Sequence, residues 1–181
     1  MLRNIADRNG PIGIRNSWET PAGMKWVKVD ATADSGACDH VSNRKTLPHL
    51  KLQKGTQHGA VYTVANNGVV HNEGEQYVQG RSEEGYDLEL VFQISDVGKT
   101  LLAVRKITAA GNRVVFDEEE GSYILHKPTG AITYIEKKRG TYSIPIWILV
   151  PEETRISTGM FDVLGDSSEE EKATAGFRVG A

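Results

Sequence analysis

The chain has one cysteine, Cys38, among 181 residues, so no disulfide can close within it, and a reducing, cytoplasmic setting is expected. It has no long hydrophobic run. The longest apolar stretch, residues 144–150, is far short of the roughly 20 residues that a membrane helix needs. No apolar stretch near the start resembles a signal peptide, which predicts a soluble chain with no membrane partner. Nor is there an excess of one charge. Twenty-one Lys and Arg against 24 Asp and Glu leave −3, so no global positive field draws the protein to nucleic acid or anionic lipid. Proline is sparse at six, whereas 19 glycines announce many turns. With 39% hydrophobic and 25% charged residues, the composition is that of a globular chain and excludes a rod or wholesale disorder.

What is present sorts into three parts. Residues 1–23 mix Asn, Arg, Gly and Pro without periodicity and read as an N-terminal arm. Residues 150–181 carry the acidic cluster of residues 166–171 followed by small residues, the composition of a flexible tail. Residues 24–149 form the expected folded body.

Within that body, residues 25–32 alternate apolar and polar side chains, as a strand with one buried face does. Residues 61–65 and 69–70 flank Asn66-Asn67-Gly68, a hairpin signal because Asn and Gly both tolerate positive φ. Residues 75–80 and 86–94 read as two more strands. Residues 99–110 change period: Leu101, Val104 and Ile107 recur at threes and Gly111 stands where a C-terminal cap falls, which predicts a short helix. Residues 113–116, 122–126, 131–137 and 141–148 return to strand pattern, broken by turn residues. Eight or nine short strands and one helix bury their apolar faces only by closing up. The expected fold is all-β, a small closed barrel with one short helix.

The tetrad Asp34-Ser35-Gly36-Ala37 follows directly on the first predicted strand. A carboxylate there is surrounded by backbone amides, Gly36 permits a turn where a Cβ would collide with a neighbouring strand, and the Ser35 hydroxyl can hydrogen-bond locally. Asp-Ser-Gly also occurs in ordinary turns, where the aspartate merely caps. Three downstream features accompany it here: a glycine-punctuated hairpin region, then Leu101-Leu102-Ala103-Val104-Arg105-Lys106-Ile107, then Asn112-Arg113-Val114-Val115-Phe116-Asp117.

With Asp34-Ser35-Gly36-Ala37-Cys38-Asp39-His40-Val41, these segments resemble the retropepsin-like aspartic proteases of Copia-type retrotransposon polyproteins, over roughly residues 24–148. The chain departs from the family at Ala103 and Arg105, which stand at serine positions, and at Ala31-Thr32-Ala33, where bulkier apolar residues are usual. The resemblance implies a barrel of retropepsin type in which each subunit supplies one aspartate, Asp34, so that the enzyme is a homodimer cutting its own polyprotein. One aspartate cannot act at once as base toward water and as acid toward the leaving amine, so a single tetrad also needs a second copy. The resemblance further implies a flap in residues 65–77, with Asn66, Asn67, Gly68, Val69, Val70 and Gly74, and packing of Leu101, Leu102 and Ala103 behind the catalytic loop. The apolar strand at 141–148 is the expected dimer strand. No cofactor and no metal are implied, and the partners are a second copy and a polypeptide substrate. The alternative is a non-catalytic dimeric β-fold that serves as scaffold or binding module.

Other residues carry less. Cys38 lies near His40, but a thiolate nucleophile needs a base and an oxyanion site, and Cys38 is expected beneath the loop as a small apolar residue. His40 is expected to bond a carboxylate or a carbonyl. The five histidines lack the close spacing of zinc motifs, and Lys137-Lys138-Arg139 has no interleaved aromatics and reads as a solvated turn.

Overall fold

The computed structural model describes residues 18–64 and 66–152. Strand β1, Met24–Asp34, places Val29 and Ala31 in the core on its inward face. It runs antiparallel to β11, Thr141–Pro151, from Met24 opposite Pro151 to Thr32 opposite Ser143. β11 buries Ile144, Ile146, Ile148 and Val150, all 2% exposed or less, and also Ser143 and Pro145 between and beside them. Each such Ile or Val side chain contributes about 1.5–3 kcal/mol of burial.

The other strands of the ring are β2 (Val41–Ser42), β5 (Gly74–Ser82), β6 (Asp87–Ile94) and β7 (Leu101–Ala103). The order β1-β7-β2-β6-β5-β11 closes on itself through the β1–β11 pairing, giving a closed six-stranded barrel. Its interior is filled by Leu88, Leu90, Phe92, Ile94, Leu102 and the isoleucines of β11. Outside the ring, β8 (Asn112–Val115), β9 (Ser122–His126) and β10 (Ile132–Lys138) extend the sheet as an antiparallel meander from β11. Strands β3 (Val61–Thr63) and β4 (Val69–His71) form a separate two-stranded hairpin.

Three sequence expectations change. The helix predicted over 99–110 begins later: α1 spans Val104–Ala109, and Leu101–Ala103 is strand β7, parallel to β1 with Thr32 opposite Leu101 and Asp34 opposite Ala103. Threefold apolar spacing cannot tell a buried strand from a helix over so few residues. The body reaches beyond residue 149, because β11 continues to Pro151 and Glu152 N–H donates to Gly23 O at 2.8 Å. At the other end Trp18 is packed on the barrel, 5.2 Å from Trp26 and 6.1 Å from Trp147 between ring centroids, and the Arg81 guanidinium sits 5.4 Å from the Trp18 and Trp26 rings. Residues 1–17 and the acidic cluster lie outside the described residues.

Finally, β11 does not offer an open edge. One side is paired to β1, and the other to β10 at residues 141–143 and to β5 at 146–148. Residues 141–148, expected as the dimer strand, are thus an inner strand of this sheet, with no free edge there for a symmetry mate.

Candidate active site

Asp34 is the last residue of β1 and is half-buried. Its Oδ1 accepts the Gly36 N–H at 2.7 Å, which closes an Asx turn and aims the carboxylate back over its own loop. It makes no ion pair among the described residues. Gly36 avoids a contact other than the expected one. Its φ is not positive, and a Cβ there would stand 3.3 Å from Asp34 Oδ1, so the tight approach is to the aspartate itself and not to a neighbouring strand. Ser35 and Gly36 are exposed and Ala37 is half-buried. The Ser35 hydroxyl makes no hydrogen bond among the described residues, which corrects the expectation of a local one.

Behind the loop the packing follows the sequence reading. Leu102 is 1% exposed and Ala103 is fully buried, while Leu101 is half-buried and lies opposite both Thr32 and Val41. Two polar stitches hold β1, β2 and β7 together there: Thr32 N–H donates to Thr100 O at 2.9 Å, and the Ser42 and Thr100 hydroxyls share a bond of 2.9 Å. The small Ala31, at 0% exposure, belongs to the same core cluster as Ile144 and lies opposite it in register.

His40 was expected to bond a carboxylate or a carbonyl, and its partner is a different one. It is 3% exposed, and its Nδ1 accepts the Ala103 N–H at 3.0 Å instead of donating to a carboxylate or carbonyl. A backbone N–H only donates, so Nδ1 is unprotonated and the neutral ring carries its proton on Nε2. Its backbone carbonyl accepts Gln93 N–H at 2.8 Å, and its ring meets Phe92 edge-on at 6.4 Å. Burial first, and nearby positive charge including the Lys106 ammonium after it, bring the imidazole pKa down to about 4, with Asp39 opposing them. Asp39 and Lys106 are themselves an ion pair at 2.8 Å. The only sequence signal for this clasp was a histidine entering an apolar strand at Val41.

The candidate flap residues divide. Asn66, Asn67 and Val69 are exposed and Gly68 and Val70 half-buried, all within the hairpin, where Asn67 takes φ +60° and Gly68 N–H donates to Asn66 Oδ1 at 2.9 Å. Gly74 instead begins β5 inside the barrel wall and is buried. Ala65, included in the expected flap, lies outside the described residues. No hydrogen bond or ion pair joins the hairpin to Asp34 among the described residues. A polar chain does reach His40: Asn72 Nδ2 donates to Tyr62 Oη at 3.0 Å and to Gln93 Oε1 at 2.6 Å, and Gln93 N–H donates to His40 O.

Cys38 is exposed, not tucked under the loop. Among the described residues no group of three His, Cys, Asp or Glu side chains could hold a metal ion, and no helix is long and apolar enough to cross a membrane. The basic turn is paired with carboxylates: Lys137 with Glu118, and Lys138 with Glu136 and Asp30. Compared with family models, curated proteins and solved structures, the chain matches none.

Proposed function

We propose that this chain is one subunit of a retropepsin-like aspartic endopeptidase that works as a homodimer on peptide bonds of its own polyprotein. The observation that carries the reading is Asp34: a carboxylate with no ion pair among the described residues, at the end of a barrel strand, opposite Ala103, with the exposed Ser35 and Gly36 beside it. A second copy would meet the chain on that surface.

Across a two-fold axis Asp34 would face the partner's Asp34. Two carboxylates about 3 Å apart cannot both ionise, so they hold one proton between them and titrate as a pair. The ionised member takes a proton from water as the water oxygen attacks the peptide carbonyl carbon. The protonated member hydrogen-bonds the carbonyl oxygen and then supplies the proton that the departing amine needs. No covalent intermediate and no cofactor enter. The hairpin β3–β4, separate from the barrel and carrying exposed Val61 and Val69, suits a cover for an extended apolar peptide. Because β11 is paired on both edges, the two copies would meet through the Asp34 end of the barrel.

Peptide cleavage by the wild type and by Asp34→Asn, measured at roughly pH 4 to 6 where a pair sharing one proton is competent, tests the reading. Cleavage lost in the variant supports it, and equal cleavage by both proteins removes Asp34 from the mechanism. A wild type that dimerises without cleaving is the scaffold alternative.

A further inference from the structure

His40 joins two strands that meet at the candidate site. Its carbonyl is bonded to Gln93 of β6 and its ring to Ala103 of β7, the residue opposite Asp34 and immediately ahead of α1. The ring bond exists in one protonation state only. A proton on Nδ1 would set two N–H groups against each other across 3.0 Å at a site sealed from water, leaving the Ala103 N–H without an acceptor.

Resting on the peptidase reading above, we infer that neutral His40 is a positioning residue for Asp34, and that its protonation is what shuts the site at low pH. Among the described residues, the charged groups that act on the ring are Asp39 from its own loop and Lys106 from α1, already paired to each other. β6 and β7 present Phe92, Gln93 and Ala103, none of which titrates in this range. The ring stays neutral down to about pH 4, across the acid range in which a carboxylate pair holds its shared proton. The pair then sets the alkaline limb of activity and His40 the acid limb.

The test uses the full chain and has two arms. In the first, nitrogen-15 NMR follows the His40 ring and the Ala103 amide of the wild type from pH 7 to pH 3. The expected result is a ring protonated on Nε2 alone at neutral pH, with the Ala103 amide moving together with the ring below about pH 5. A ring that titrates near its ordinary value, or an Ala103 amide indifferent to it, overturns the inference without any variant. In the second arm, kcat/KM for a peptide is profiled against pH for the wild type and His40→Asn, whose amide oxygen can accept the Ala103 N–H and does not titrate. The acid limb is expected to move down by at least one pH unit, a tenfold gain relative to wild type at the lowest pH, with the alkaline midpoint unmoved. An unchanged acid limb overturns the inference. If neither protein cleaves, the peptidase reading fails by itself, and the clasp stands or falls on the Ala103 amide.

Discussion

Lys106 Nζ lies 2.8 Å from Asp39 Oδ1, so the helix that follows β7 is pinned to the loop that follows Asp34. Asp39 is mostly covered, at 13% side-chain exposure, but Lys106 keeps 46%, and a pair with one solvated member is worth at most about 1 kcal/mol. Lys106→Met should therefore lower the melting temperature by only a few degrees. Its sharper effect is on His40. Removing the ammonium raises the imidazole pKa, whereas Asp39→Asn lowers it, because the two charges act on the ring with opposite signs. An NMR titration of the two variants in which both shifts run the same way would sink this account of the clasp.

Asp34→Asn separates chemistry from folding. The asparagine oxygen can still accept the Gly36 N–H, so the Asx turn survives and the melting temperature should stay near that of wild type. Peptide cleavage should fall by at least about a hundredfold, the low end of what a positioned acid–base group contributes. A variant that loses stability together with activity would show that Asp34 serves the loop and not the reaction.

The barrel was legible from alternation because β6 buries Leu88, Leu90, Phe92 and Ile94 on one face, β11 buries Ile144, Ile146, Ile148 and Val150, and β1 buries Val29 and Ala31. β7 was not, because three residues are too few to display a period and its neighbours are β1 and β2, distant in sequence. Asp34 and the leucines behind it were legible from their order along the chain. His40 and the Asp39–Lys106 pair were not, since their roles come from β7 and α1 folding back over the loop some 65 residues later in the chain. The double pairing of residues 141–148 was not legible for a related reason: an apolar strand looks the same whether one or both of its edges are paired.

Stability should depend on pH through His40, with a definite sign. The folded pKa of about 4 lies below the ordinary value of 6.5, so between those values the unfolded chain binds a proton that the folded one does not. The contribution is complete above pH 6.5, declines as pH falls through the interval and is gone below about 4. At ~1.4 kcal/mol per pH unit, the full loss is about 3 kcal/mol. Denaturant titrations of wild type and His40→Asn at pH 7 and pH 4 check it: the difference between the two pH values should shrink by most of that amount in the variant. A wild type whose pH dependence matches the variant's contradicts the buried neutral ring.

Gly74, expected as a bending point of the flap, is held by packing. Its φ of +143° suits glycine, and a Cβ would stand 2.4 Å from Gln53 O and 3.1 Å from Leu52 Cδ1. The Gln53 carbonyl is not free to yield, because Gln53 exchanges two backbone hydrogen bonds with Glu75, at 2.9 and 2.8 Å. Gly74→Ala thus combines backbone strain with a collision against fixed main chain, for an expected loss of about 3 kcal/mol or more and a melting temperature lower by roughly 10 °C. Gly59 is the matched control, with φ +81° and nothing within 4 Å of a Cβ. Gly59→Ala carries the strain without the collision and should cost only about 1 kcal/mol. Equal losses from the two substitutions, read by thermal melts, would mean that the Gln53 segment moves aside, and the hairpin would then be joined to the barrel by a yielding connection after all.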